Sequence, residues 1–314
     1  MSSTTTTAPA PAAGSPERPR RSFRELLSAL PWIGPSLALI ILIVLFPAGY
    51  MVFSSTRDIS QSGIDRGSAG FQNYLDVFAI PALPRVLANT AVWVVAVVAL
   101  TVVLSLALSN FLNKQFPGRQ IVRLAVIVPW AASVVMTTTV VYYGLQPNYG
   151  IINQFLADVG ILDSPDFGFT KNATSAFVVA IVVAVFVSLP FTTYTLLAGL
   201  QSIPGDVVEA ARMDGASHRQ VYFSIVLPQL KPALAVAAII NIINVFNSLP
   251  ILRLMTGSIP GYDADTTTTL IFKLIQSDRA VDQASALSVV NFVIVIAVIA
   301  LYMRIVKPMK GVDE

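Results

Sequence analysis

The chain contains no cysteine. Disulfides and thiolate metal sites are therefore excluded, and the redox compartment leaves no trace in the residues. Histidine is nearly absent too: His218 stands alone, so neither an H-E-x-x-H motif nor a multi-histidine metal centre can form. No Gly-Lys dipeptide occurs, which removes any phosphate loop of the G-x-x-x-x-G-K-S/T kind and ATP hydrolysis by that route. Charge is scarce as well. Only 12% of residues are charged while 55% are hydrophobic, and a mean hydropathy of +0.72 lies far from a soluble domain. The net charge of +3 belongs to residues flanking apolar runs. No basic cluster with interleaved aromatics marks a nucleic-acid surface.

What the chain has in quantity is apolar runs of about 20 residues, the length a helix needs to cross a bilayer core about 30 Å thick. Six are expected, near residues 30–53, 86–112, 121–145, 174–200, 232–255 and 284–306. The fold class is thus all-α integral membrane with six transmembrane helices. Residues 1–29 form a Thr-, Ala- and Pro-rich tail ending in a basic anchor, expected to be disordered. Residues 30–306 form the membrane domain, and 307–314 a second tail. The first run lacks a small-residue cleavage site before Tyr50 and reads as a retained span. With both termini inside, thirteen Lys and Arg residues fall on the cytoplasmic side against six opposite, with Arg253 in or near the fifth run. That asymmetry is what the positive-inside rule requires. The central parts of the six runs carry no Asp or Glu, so an ion relay of the kind that drives secondary transport is missing.

One polar island interrupts this pattern at residues 201–231. Asp206 and Glu209 put negative charge near the start of a short helix, and Pro204 suits its first turn. Gly215 supplies a permissive backbone at its end. Ser217 followed by Gln220 reads as a capping box opening a second short helix, which Pro228 limits. Two short helices joined at a glycine make a stiff knuckle suited to docking, and His218 reads as a solvated loop side chain.

Within this island Glu209, Ala210, Ala211, Asp214, Gly215 and Ala216, then Ile225, Leu227 and Pro228, resemble the E-A-A-x-x-D-G-A…I-x-L-P loop of ABC importer permeases. Gly199 to Pro204 resembles the G-L-x-x-I-P lead-in of the carbohydrate-uptake class, and Leu227 to Pro232 its L-P-x-L-x-P exit. Phe71-Gln72-Asn73-Tyr74, Leu254-Met255-Thr256-Gly257, Thr266-Thr267-Thr268 and Ala284 to Ser288 extend the likeness, so that it covers roughly residues 32–306. The chain thus resembles maltose- and glycerol-3-phosphate-type permeases of importer-permease (MetI-like) architecture. The resemblance implies a prokaryotic inner or plasma membrane protein whose island is the coupling helix seated on an ATP-hydrolysing subunit. It implies no cofactor on this chain, with ATP and Mg on two partner ATP-binding subunits. It also implies a second homologous permease, an extracytoplasmic solute-binding protein, a sugar-type solute, and alternating access within the lipid. A non-sugar solute or, further off, a secondary transporter remains the alternative. The chain departs from the family between Asn247 and Arg253, where Pro250 should bend or break the fifth helix.

For the solute path, Asn241, Asn244, Asn247 and Ser248 recur at roughly helical spacing along the fifth run. Their amides suit a sugar's hydroxyls; the structural alternative is hydrogen bonding between helices. Ser188, Thr192, Thr193 and Tyr194 around Pro190 form a second candidate set, and Ser133 with Thr137 to Thr139 a third. The Asn172-Ala173-Thr174 sequon reads as coincidence.

Overall fold

The computed structural model describes residues 23–306. Most of the expected N-terminal tail and all of the 307–314 tail lie outside them. Two compact units are present, ending and beginning at Tyr50 and Met51.

The first unit is helical from its first described residue. Helix α1 (Phe23–Leu39) runs through a π-helical turn (Ile40–Leu45) into α2 (Phe46–Ser54). The flanking residues Leu39 and Phe46 keep right-handed helical dihedrals, so Pro31–Ser54 is one apolar span of 24 residues. Trp32, Leu42, Ile43 and Phe46 are all exposed. A helix apolar all round is stable in that state only where its solvent is hydrocarbon.

The second unit takes in the end of α2 from Met51 and continues with an antiparallel hairpin, β1 (Arg57–Ile59) and β2 (Asp65–Ser68). An Arg57–Asp65 ion pair of 2.8 Å closes it. The Arg57 side chain and the Gly67 backbone N–H hold the Asp65 carboxyl below the usual carboxylate range. Helix α3 (Gln72–Phe78) follows, and its Asn73 amide donates to the carbonyls of Ser55 and Arg57 at 3.0 and 2.8 Å.

Three long helices carry the core: α4 (Leu83–Asn113), α8 (Ala173–Gln201) and α15 (Val281–Val306). Between α4 and α8 lie α5 (Arg119–Ala131), α6 (Val134–Gly144) and α7 (Ile151–Asp158). After α8 come α9 (Gly205–Met213), α10 (His218–Val221), a π-helical turn (Tyr222–Val226) and α11 (Leu227–Gln229). Helices α12 (Lys231–Phe246), α13 (Leu249–Thr256) and α14 (Thr267–Gln276) lead into α15. Trp93, Val97, Ala180, Ala184, Val245, Phe246, Leu252 and Met255 interdigitate in one buried cluster, so α4, α8, α12 and α13 share a core. The Asn172 side chain accepts the Thr174 N–H at 2.9 Å. The sequon residue is a helix cap for α8.

The six expected runs are not all single helices. Among the described residues four helices are long and apolar enough to cross a membrane: Pro31–Ser54, Leu83–Asn113, Ala173–Gln201 and Val281–Val306. The third run is split at Ala132 and Ser133, both in extended conformation. This break follows Pro129, whose nitrogen offers no donor to continue the ladder. The fifth run is split at Asn247 and Ser248, where Pro250 occupies the first turn of α13. The island's second half and α12 meet at 62° and count as a fifth span only if taken together.

The ends exposed by the second break are covered by side chains. Trp93 Nε1 donates to the Val245 carbonyl at 2.9 Å, and Thr268 Oγ1 donates to the Phe246 carbonyl at 2.8 Å. Replacing Trp93 with Phe should retain the packing and lose one buried hydrogen bond, a destabilisation of about 1–3 kcal/mol. Trp93→Ala should cost about 3–5 kcal/mol, since it opens a cavity as well. Reversible denaturant unfolding of the purified protein in detergent measures both, and equal stability of Trp93→Phe and the native chain refutes the bonding role.

Candidate functional site

The polar island folds as an elbow. Helix α9 begins after Pro204, which stands just ahead of the helix rather than within its first turn, with Asp206 in that turn and Arg212 in the last. Both charges oppose the helix dipole favourably. At its end Gly215 adopts φ +83°. The Gly215 N–H donates to the Arg212 carbonyl and the Ala216 N–H to the Ala211 carbonyl, each at 3.0 Å. This is a Schellman termination, which needs a left-handed residue at that position. The Ser217 backbone N–H donates to Gln220 Oε1 at 2.8 Å, and the Ser217 hydroxyl accepts the Gln220 N–H at 3.4 Å. The capping box expected from the residue order is thus formed, and α10 starts with no slack between the two helices.

Exposure shows which face the elbow offers. Glu209, Ala210, Asp214 and Gly215 are exposed, Ala211 and Ala216 half-buried. Val207, Met213 and Phe223 are also exposed on this otherwise polar loop, Met213 at 84%. Apolar side chains presented beside charges, on a backbone locked by two caps, suit a protein surface better than bulk water. Leu227 and Pro228 are half-buried on the side returning to α12.

Three contacts hold the bundle together at the elbow's end. A Cβ added at Gly199 would come within 2.7 Å of Ala233 Cβ and 3.0 Å of Leu230 Cδ2, so the ends of α8 and α12 approach as closely as glycine allows. Asn110 Nδ2 on α4 donates to Tyr222 Oη at 2.9 Å, tying the π-helical turn to the second span. Tyr194 Oη donates to the Arg123 carbonyl at 2.7 Å, joining α8 to α5 near the same end. Asn110 and Tyr222 escape a sequence reading because nothing local links positions so far apart in the chain.

The asparagine stripe divides. Asn241 is 2% exposed; its amide donates to Thr192 Oγ1 at 2.7 Å and to the Ala237 carbonyl at 2.8 Å. It joins α12 to α8. Asn244 and Asn247 are exposed, the latter donating only to the Ile243 carbonyl of its own helix, and Ser248 is half-buried in the break. Thr192 and Asn241 are therefore brought together, while Tyr194 faces α5 and Asn244 and Asn247 face outward from this chain. Among the described residues no group of three or more His, Cys, Asp or Glu could hold a metal ion.

Comparison with known proteins shows the family and the fold. Residues 102–308 match the profile of a family described as the binding-protein-dependent transport system inner membrane component. A probable ABC transporter permease protein of Brucella suis is 35% identical over 271 residues, covering 86% of this chain and 93% of that one. A trehalose/maltose transport system permease protein of Thermococcus litoralis is 30% identical over 285 residues, covering 90% and 95%. Among solved structures, a bacterial ABC transporter involved in the import of the acidic polysaccharide alginate has the same fold. It superimposes with a TM-score of 0.76 at 20% identity, over 92% of this chain and 97% of that one.

The division of the asparagines gives distinct stability effects. Asn241→Leu should destabilise the purified protein by about 1–3 kcal/mol, because the Thr192 hydroxyl loses a buried partner. Asn244→Leu and Asn247→Leu should stay within about 0.5 kcal/mol, as exposed substitutions do. Detergent unfolding curves of the three variants decide it; an Asn244 effect as large as that of Asn241 contradicts the observed burial.

Proposed function

This chain belongs to the family of binding-protein-dependent transport system inner membrane components, and we propose that it imports a sugar or sugar-like solute as one permease subunit of an ATP-driven transporter. The observation that carries the energy-coupling part is the doubly capped, exposed elbow at Gly215. It supplies a rigid, partly apolar docking surface on a chain whose sequence has no phosphate loop. Glu209, Ala210, Ala211, Asp214, Gly215 and Ala216 seat in a groove of an ATP-binding subunit, with Leu227 and Pro228 fixing the return to α12. The sugar-class motifs around the elbow and the similarity to a trehalose/maltose permease support the solute class.

The working unit in this reading pairs the chain with a second, homologous permease. Two ATP-binding subunits carry ATP and Mg, and an extracytoplasmic binding protein delivers solute. Closure of the ATP-binding pair drives the elbows together. Because Gly199 pins the elbow's two ends against each other and Asn110 holds Tyr222, that motion passes into α4, α8 and α12, and the bundle opens outward. Hydrolysis returns it to the inward-facing state. Asn244 and Asn247 turn away from this chain's own core, so they line the path toward the partner permease, and Asn241 with Thr192 holds the wall behind them.

Two measurements test this. A Cβ at position 215 meets no atom within 4 Å, while Gly215→Val strains a left-handed residue by about 1–3 kcal/mol. Inserted Gly215→Val complex should lose at least tenfold in uptake, with Gly215→Ala intermediate; native uptake together with native ATPase co-purification by the Val variant refutes the coupling role. For orientation, a single cysteine at Ser217 should resist a membrane-impermeant thiol reagent in intact cells, while one at Ser164 should react. Labelling of Ser217 from outside overturns both the topology and the docking surface.

A further inference from the structure

At the end of the bundle away from the elbow, α13 and α14 leave a cleft of about 400 Å3 between them. On α14, Gln276 follows Phe272 by four residues and Lys273 by three, so it neighbours both; all three line the cleft, and Arg253 of α13 stands opposite. The two cations are held very differently. Lys273 Nζ bonds Asp265 Oδ2 at 2.6 Å and the Gly261 carbonyl at 2.7 Å, and Asp265 is buried. That charge is neutralised in place. The Arg253 guanidinium lies 3.7 Å from the centroid of the Phe272 ring, and its Nη1 donates to Gln276 Oε1 at 2.8 Å. Among the described residues no carboxylate pairs with it.

Two cations and one carboxylate leave this cleft with a net charge of +1, and the surplus sits on Arg253. An arginine that only anchors a helix at the membrane interface keeps a free, hydrated head. Here the side chain is exposed, yet its head lies against a ring face and donates to a neutral amide, neither of which carries a compensating charge. Its remaining N–H donors form a fixed fork, the geometry that fits an oxyanion. The ring beneath stabilises the cation without consuming those donors. Gln276 and Ser277 at the same rim add uncharged polar groups of the kind a hydroxylated ligand meets.

The geometry points to an anion-receiving site in which Arg253 takes the carboxylate, or a like oxyanion, of an acidic sugar entering the permease. This rests on the sugar-importer reading above and narrows it to solutes bearing a negative group. The Lys273–Asp265 pair ties α14 to the segment before it, and Phe272 and Gln276 of that helix hold the guanidinium at the cleft.

The test uses the complete importer with its binding protein in phosphatidylcholine proteoliposomes, given galacturonate against galactose and glucose 6-phosphate against glucose. Uptake should favour an acidic member. Arg253→Gln should raise its half-saturating concentration at least tenfold, and Arg253→Lys, which keeps the charge and loses the fork, should raise it severalfold. Uptake of neutral sugars alone, unchanged in Arg253→Gln, overturns the anion site and leaves the sugar importer standing. Uptake of amino acids and of no sugar overturns both. If Arg253→Gln weakens the empty binding protein's affinity for the permease to the same degree, the arginine meets an acidic side chain of that protein and the solute assignment fails. An effect confined to phosphatidylglycerol vesicles gives the charge to a lipid headgroup, and the solute assignment fails there too. Should Arg253→Gln not co-elute with its partners, Arg253→Lys decides alone, and an unchanged half-saturating concentration in it overturns the site.

Discussion

A peptide group without water must find its hydrogen-bond partner inside the protein, and the breaks in this bundle are arranged around that requirement. The fifth run could not continue through Asn247 and Pro250, so the carbonyls ending α12 turn to other elements. Trp93 of α4 takes that of Val245, and Thr268 of α14 takes that of Phe246. The same device recurs elsewhere. Arg123 Nη2 donates to the Leu112 carbonyl at 3.3 Å, near the end of α4, and Ser105 donates to the Leu189 carbonyl at 3.4 Å, next to Pro190. The bonds to Val245, Phe246 and Leu112 serve helix ends, that to Leu189 reaches the interior of α8 beside its proline, and all four join two helices. Interruption of a span and cohesion of the bundle are thus one set of contacts.

The elbow obeys the opposite logic. It sits where its polar groups can be solvated, yet it uses two caps to remove nearly all freedom between α9 and α10. A flexible loop of this length would dock only after ordering itself, at an entropic cost of about 1–2 kcal/mol per residue fixed. The Schellman turn at Gly215 and the capping box at Ser217 have already met that cost in the free chain. Preorganisation of this kind serves force transmission as well as affinity, because a surface that does not deform passes displacement on to whatever holds it. Here the holders are the Gly199–Ala233 approach and the Asn110–Tyr222 bond.

Much of this is readable from residue order, and the reasons are local. A glycine at a helix end, a serine three residues before a glutamine and a proline at a helix start act within one turn, so the elbow's caps are legible without a structure. Long apolar runs are equally plain, which is why four spans appear where composition puts them. The third span's break is hidden because the extended residues are Ala132 and Ser133, types that favour no such conformation; Pro129 signals a bend without saying where the helix stops. The division of the asparagine stripe is hidden for another reason. Helical spacing puts residues on one broad face, but which of them meets α8 depends on a helix 49 residues away, where Thr192 waits for Asn241. The stacking of Arg253 on Phe272 joins two helices across a loop and leaves no mark in either segment.

Helix α8 connects these observations into one load path. It packs against α4, α5, α6, α12 and α13, and its last turn abuts the base of the elbow through Gly199. Motion entering there cannot be absorbed by α8 sliding in a loose setting, because its buried face is close-packed along the α4 contact and close-packed interiors transmit strain. It must be taken up where backbone ladders are absent. Two such places lie among the elements that α8 touches: between α5 and α6 at Ala132–Ser133, and between α12 and α13 at Asn247–Ser248. Helix α13 packs against both α6 and α8, so the two breaks lie at one corner, while α4 and α15 run unbroken. A bundle built this way is stiff along its continuous helices and compliant at one pair of joints. In the importer reading those joints let movement at the elbow change access at the opposite end without unfolding any helix.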